Sequence, residues 1–197
     1  MASAKAFDAY IFDLDGVVRH FDRMEEEAIE RRHGLAPGSM IHAAFGSELG
    51  NEFICGRIDH PEFEARLATV IGPGAAAELL AMRPEVDHGV VSLIEALRAD
   101  APVALLTNGS TRTAHELAAA GLSAAFDMVV NSATLGIAKP AVEIYLHATG
   151  RLGVPPERTL FVDDRPLNID GARTAGLVAH HFVGLDELRR FLGRAAP

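Results

Sequence analysis

A single cysteine stands among 197 residues, which excludes an intramolecular disulfide and fits a reducing compartment. Cys55 lies in Phe53-Ile54-Cys55-Gly56, with no histidine or helix start beside it, so its thiol reads as buried packing rather than as a nucleophile. No stretch approaches the ~18 consecutive apolar residues that a membrane-spanning helix needs. The first eight residues hold no apolar core of signal-peptide length, so the expected address is the cytoplasm. Basic residues are in deficit as well: 18 Lys and Arg against 27 Asp and Glu give a net charge of −9. An acidic body repels nucleic acid and anionic lipid, so neither is an expected partner. It also means that an anionic substrate needs local positive charge, which makes individual lysines and arginines worth following. Internal repeats and low-complexity tracts are absent, and the length suits one well-buried domain with a modest insertion.

What is present begins at Ala9-Tyr10-Ile11-Phe12-Asp13-Leu14-Asp15-Gly16-Val17-Val18. Four apolar residues make a buried strand that stops on two carboxylates. While the chain stays extended, Asp13 and Asp15 project to the same side. Two like charges held together there need a cation or a shared proton. Asp15-Gly16 could by itself be no more than turn punctuation.

After Val18 the composition changes. Residues 19–84 contain no convincing strand and read as a run of helices, among them 24–34 with Asp22 as N-cap, 39–45, 47–54, one opening at Asp59-His60-Pro61, and 75–82. From residue 86 onward helices and strands alternate strictly. Strands are expected at 102–106, 127–130, 159–162 and 178–183, with helices at 111–120, 141–150, 166–175 and 185–192. The class this implies is α/β, a doubly wound parallel sheet with helices on both faces and an inserted helical block. His180-His181 falls in the last strand with one ring on each face, an arrangement that suits packing rather than chelation.

Ligands of such sheets bind outside the carboxyl ends of the strands. Those ends carry Asp13 and Asp15, then Thr107-Asn108, then Lys139 on a loop, then Asp163 and Asp164. Each has a plain reading as a turn, a helix entry or a solvated acid, but four such coincidences at one sheet edge are improbable. The acids suit a hard divalent ion, for which Mg²⁺ is the usual choice in phosphate chemistry. Ser110 or Thr111 is expected to cap the following helix, whose free amides would welcome an anion. Lys139 adds a point charge for phosphate oxygens. One Asp can act as nucleophile and another can move a proton, which describes phosphoryl transfer.

The order and spacing of Phe12-Asp13-Leu14-Asp15-Gly16-Val17, Leu106-Thr107-Asn108-Gly109, Ala138-Lys139-Pro140 and Val162-Asp163-Asp164-Arg165-Pro166-Leu167-Asn168 resemble the haloacid dehalogenase-like hydrolase superfamily. The resemblance spans nearly the whole chain. It implies a Rossmann-like catalytic core in residues 1–18 and 85–197, with a small helical cap of the C1 type in 19–84. It further implies Asp13 as nucleophile and metal ligand, and Asp15 as general acid and base with its carbonyl on Mg²⁺. Thr107 and the Asn108 amide would bind the phosphoryl group, Lys139 would steady nucleophile and phosphate, Asp164 would ligate Mg²⁺ directly and Asp163 through water. Asn168 fits an Asp-Asp-x-x-x-Asn variant found among sugar-phosphate phosphatases and the phosphatase domain of epoxide hydrolase. The expected activity is hydrolysis of a small phosphorylated metabolite through an aspartyl-phosphate, by a monomer or homodimer.

Arg19 and His20 follow the nucleophile loop directly and are expected to meet the leaving group, with a solvated surface as the alternative. Dehalogenases of the superfamily resemble this chain but lack the second Asp, which makes 2-haloacid dehalogenation the runner-up. A phosphomutase shares all these residues. A receiver-type signalling domain would lack the helical insertion, and a non-catalytic phosphate-binding protein would be expected to have lost Asp13 or Asp15.

Overall fold

A computed structural model describes residues 7–193; residues 1–6, which fall in the stretch read above for a leader, and residues 194–197 lie outside the described part. In chain order, β1 (Ala9–Phe12) is followed by a two-residue strand β2 (Arg19–His20). Five helices come next: α1 (Arg23–Arg32), α2 (Ser39–Phe45), α3 (Glu48–Ile54), α4 (His60–Ile71) and α5 (Pro73–Ala81). Then come β3 (Glu85–Val86), α6 (His88–Arg98), β4 (Val103–Thr107), α7 (Thr113–Ala119), β5 (Met128–Asn131), α8 (Ser132–Leu135) and α9 (Val142–Leu152). A 3-10 turn at Pro156–Arg158 leads into β6 (Thr159–Asp163), α10 (Pro166–Thr174), β7 (Val178–His181) and α11 (Leu185–Phe191).

The expected doubly wound sheet is present, in the order β5-β4-β1-β6-β7 with every neighbour parallel. All residues of β1, β4 and β6 are buried, as strands covered on both faces must be. Alternation sends Tyr10, Phe12, Val103, Leu105, Leu160 and Val162 to one face, where the apolar side of α6 covers them. Ile11, Ala104, Leu106 and Phe161 face the other way, onto Ile144, Tyr145 and Ala148 of α9 and Ile169 and Ala172 of α10. The chain winds from β1 through β4 to β5, then returns to the far side of β1 for β6 and β7. Connections leaving β1 and β6 therefore diverge, and the crevice at their carboxyl ends is the switch point where such sheets bind ligands.

Helices α1 to α5 close around a cluster of their own, built from Ile29, Met40, Phe53, Phe63, Leu67 and neighbours. The Phe53 and Phe63 rings stack with centroids 3.9 Å apart. Asp22, Ser47 and Asp59 accept hydrogen bonds from the first turns of α1, α3 and α4, so local capping defines where these helices begin. Glu30 is buried because its carboxylate accepts from the Gly38 and Met40 amides, at 2.8 and 2.9 Å.

Three local expectations need correction. Residues 19–84 do contain a strand: β2 pairs antiparallel with β3, Arg19 opposite Val86 and His20 opposite Glu85. Two residues are too few to show a period, and the pairing depends on the chain leaving and re-entering the sheet side by side. Helix α7 starts at Thr113, and neither Ser110 nor Thr111 caps it. The Ser110 amide donates to Thr113 Oγ1 and the Ser110 hydroxyl accepts from the Arg112 amide, both at 3.1 Å, which makes a turn where helix was expected. The connection after β5 also holds the short α8, capped by Asn131.

Phe63→Ala should lower unfolding stability by about 3–5 kcal/mol, because it empties one side of the stacked pair at the centre of the helical cluster. Hydrogen exchange should speed up mainly across 23–82. Equal acceleration across the sheet would mean that the two clusters share their cooperativity.

Candidate active site

β1 delivers Asp13 to the crevice still in sheet register, its amide donating to the Val162 carbonyl at 2.9 Å. The chain then curls: the Val18 and Arg19 amides both donate to the Leu14 carbonyl, and the Gly16 amide donates to the Arg19 carbonyl. Gly16 has φ +91°, and a Cβ there would collide with the Asp164 carboxylate, so conformation and close approach both require glycine. Because the strand ends at Phe12, the Asp15 side chain does not stand beside the Asp13 carboxylate as the extended reading expected. The cluster of carboxylates is Asp13, Asp163 and Asp164, with one oxygen of each within 4.8 Å of the others. The Asp15 side chain is half-exposed and turned onto Arg19.

Lys139 binds the cluster together. Its ammonium is almost wholly buried, 2.6 Å from Asp13 Oδ1 and 2.7 Å from Asp163 Oδ2. The loop carrying Lys139 is fixed by Asn108, whose side-chain amide donates to the Lys139 carbonyl (2.9 Å) and whose oxygen accepts from the Lys139 amide (2.8 Å). Thr107, the last residue of β4, is buried next to it. Asp163 is saturated: Asn168 Nδ2 lies 3.0 Å from both its oxygens, and the Arg165 amide donates to Oδ1 at 2.8 Å. Tyr145 in turn donates from its hydroxyl to the Asn168 carbonyl. Composition places a tyrosine on the apolar face of α9 without saying that its hydroxyl meets a polar partner.

Two oxygens stand apart. Asp13 Oδ1 accepts from the Leu14 amide as well as from Lys139, whereas Oδ2 accepts nothing among the described residues. Asp164 Oδ1 is buried and accepts no hydrogen bond among the described residues. Burial pushes the Asp13 carboxyl up to about 8; Lys139 opposes this and the neighbouring Asp163 and Asp15 add to it. Burial and Asp163 likewise raise Asp164. Burial lowers Lys139, but the Asp13 and Asp163 carboxylates outweigh it and leave its pKa raised. An all-oxygen cluster with a buried unpartnered oxygen is the donor set of a hard cation.

Of the two residues after the loop, Arg19 lies in the interior. Its Nε is 2.6 Å from Asp15 Oδ1, and its Nη2 is 3.3 Å from Asp15 Oδ2 and 3.1 Å from Glu116 Oε2. The solvated-surface alternative therefore fails for Arg19, because the β2–β3 pairing turns its side chain inward. Glu116, on α7, carried no signal in the sequence. His20 stays half-exposed, with Nε2 3.8 Å from Asp87 Oδ2. Helix α3 meets the 136–141 loop over a cleft of about 430 Å³, lined by Asn51, Cys55 and Arg57 from one side and Lys139, Pro140 and Glu143 from the other.

Fold and site together define a doubly wound α/β protein with an acidic, lysine-bridged crevice at its switch point. Residues 7–176 match the haloacid dehalogenase-like hydrolase family, and the chain belongs to it. The chain is 31% identical to Phosphatase MT3486 of Mycobacterium tuberculosis over 89% of its own length and 87% of the relative's. It is 26% identical to the glyceraldehyde 3-phosphate phosphatase of Methanopyrus kandleri, over 86% of its length and 81% of that protein's. A HAD-like family hydrolase from Porphyromonas gingivalis superposes with a TM-score of 0.77 at 26% identity, covering 96% of this chain and all of that one. A HAD family enzyme of Bacteroides thetaiotaomicron, solved in complex with magnesium and inorganic phosphate, has the same fold at TM-score 0.72 and 20% identity, over 89% and 93% of the two chains. No helix among the described residues is long and apolar enough to cross a membrane.

Lys139→Met should destabilise the protein by about 3–5 kcal/mol at neutral pH, since it leaves buried Asp163, and the Asp13 carboxyl beside it, without their cationic partner. The deficit against wild type should shrink on acidification, because protonation relieves the repulsion that the lysine had offset. Urea midpoints across the acidic range check this, and a deficit that grows on acidification contradicts it.

Proposed function

We propose that the protein is a Mg²⁺-dependent phosphatase that hydrolyses a small phosphorylated metabolite through a phosphorylated Asp13. The observation that carries this reading is the division of labour around Lys139. Among the described residues, one oxygen of Asp13 is anchored and the other accepts nothing, and in the same cluster a buried Asp164 oxygen has no partner. Once a cation displaces the proton that burial keeps on Asp13, three carboxylates against one ammonium leave two negative charges in the crevice, the complement of one divalent cation. Relatives of the chain include phosphatases, which supports the same chemistry.

Asp13, Asp164 and the Asp15 carbonyl would hold the ion, with Asp163, already saturated, reaching it through water. When bound, Mg²⁺ supplies charge stabilisation for the phosphoryl oxygens. Asp13 Oδ2 attacks phosphorus, a new O–P bond forms, and the bond to the leaving oxygen breaks as Asp15 gives that oxygen a proton. Water then attacks the phosphoaspartate, Asp15 takes its proton, and phosphate leaves with the Asp13 carboxylate restored. Thr107 and the Asn108 amide receive phosphoryl oxygens, and Lys139 keeps the nucleophile oriented. Dehalogenation would leave Asp15 without a task.

Residues 19–84 act as a cap over this core, hinged where β2 and β3 pair, and the cleft beside Arg57 and Asn51 receives part of the substrate's organic group. His20 keeps an accessible ring that can meet the leaving group. A sugar phosphate fits this reading.

The protein should hydrolyse p-nitrophenyl phosphate, lose that activity in EDTA and regain it with Mg²⁺. Asp13→Asn should abolish turnover, because an amide is a poor nucleophile. Undiminished activity in chelator or in Asp13→Asn would overturn the assignment.

A second expectation follows from the raised Asp13 carboxyl. Between the ordinary value of 3.8 and about 8, the folded chain keeps a proton that the unfolded chain has lost. Metal-free stability therefore falls as pH rises through that interval. A cation must displace this proton, so its affinity rises over the same interval by up to about tenfold per pH unit. The Mg²⁺-induced increase in Tm should be larger at pH ~8 than at pH ~6. An equal or larger increase at the lower pH would contradict the site.

A further inference from the structure

Arg19 is the most deeply buried arginine of the described chain at 7% exposure, and it is shared by two acids from different elements. Asp15 comes from the nucleophile loop and Glu116 from α7. Both contacts are charge-assisted, and the fork of Nε and Nη2 spans both Asp15 oxygens. The two contacts with Asp15 are unequal. Oδ1 is held at 2.6 Å, whereas Oδ2 is at 3.3 Å from an Nη2 that lies nearer Glu116, so Oδ2 is the looser oxygen. Arginine does not give up its proton in proteins, so the group beside Asp15 can orient it without competing for the proton in transit. The backbone reinforces the arrangement. The Arg19 carbonyl accepts from Gly16, its amide donates to Leu14, and the residue pairs with Val86 across the hinge.

A bland reading treats this as one more ion pair stabilising a turn, and exposed pairs are worth little. Burial argues against it. A desolvated guanidinium must keep its partners, and an ordinary turn would use an exposed pair without removing a long cation from water.

We propose that Arg19 is the positioning residue for Asp15, locking one carboxylate oxygen and leaving the other to face the leaving group, with Glu116 as the second anchor that holds the guanidinium in place. The proposal rests on the reading of Asp15 as general acid. It takes Arg19 out of the substrate contacts and gives it a task performed through another residue.

The test combines a stability cycle with a leaving-group series. In thermal melts of wild type, Arg19→Met, Asp15→Asn and the double variant, the fall in Tm of the double should be smaller than the sum of the singles by ~3 °C or more. Strictly additive falls would overturn the grip. In the second arm, kcat/KM is measured for a series of substituted phenyl phosphates. A nitrophenolate leaves without a proton and an unsubstituted phenolate is helped by one, so losing the acid's alignment steepens the dependence on leaving-group basicity. Arg19→Met should lose at least ~10-fold more on phenyl phosphate than on p-nitrophenyl phosphate, with no further steepening in the double variant. Arg19→Lys keeps the charge without the fork and should fall between, and it serves as the informative variant where the methionine does not fold. Turnover with parallel losses across the series assigns Arg19 to the fold alone and overturns the proposal. Failure of wild type to cleave any ester, with the melts still coupled, overturns instead the phosphatase reading of Asp15.

Discussion

The site depends on one ammonium group placed between two buried carboxylates. Without Lys139, Asp13 and Asp163 would face each other across a crevice that excludes water, where charge repulsion is poorly screened. Much of the surrounding polar structure keeps that group in position. Asn108 grips the Lys139 backbone from both sides, Asn168 and the Arg165 amide fix Asp163, and the Tyr145 hydroxyl fixes Asn168. A chain of satisfied buried groups of this kind stiffens a site, because any member that moves leaves a partner unpaired. Rigidity is what phosphoryl transfer asks of an enzyme, since its contribution is mainly placement and fixed charge.

The sheet explains why this ammonium meets those acids. β1 and β6 are neighbours, in register from Ala9 opposite Thr159 to Phe12 opposite Val162, so the residues just past their ends emerge together. Winding in opposite directions from that pair opens the crevice above them. Into it comes Asp164, so close to Gly16 that no side chain fits at that position of the loop. Glycine there serves the carboxylate opposite as much as the turn, which connects the first and last motifs of the sequence through a single contact.

Most of this architecture was legible in the residues. Apolar runs bounded by glycine and proline located all five strands of the sheet, and carboxylates, Thr107-Asn108 and Lys139 at the expected ends located the crevice. What escaped was whatever depended on tertiary approach. The β2–β3 pair has two residues on each side, and no periodicity exists at that length. Asp13 and Asp15 were read as one extended pair because spacing of two implies one face, yet the backbone curls after Phe12 to satisfy the Leu14 and Arg19 carbonyls. Arg19 follows the loop in sequence, but that position does not reveal the two-residue strand that turns its side chain inward onto Asp15 and Glu116. Glu116 and Tyr145 sit on ordinary amphipathic helices, where a polar group on the inner side is visible only once its partner is known.

Charge completes the account of the proposed chemistry. The chain carries −9 overall, and Lys139, the cation closest to the nucleophile, is already committed to Asp13 and Asp163. Arg19 is committed in the same way to Asp15 and Glu116. Neither has charge to spare for an incoming phosphate dianion, which would meet a net negative crevice. On the phosphatase reading, a divalent cation held by Asp13, Asp164 and the Asp15 carbonyl would offset that negative charge while leaving both buried cations on their acids. The arrangement thereby separates two tasks that one lysine could not perform at once: holding the nucleophile in place and attracting the group it attacks.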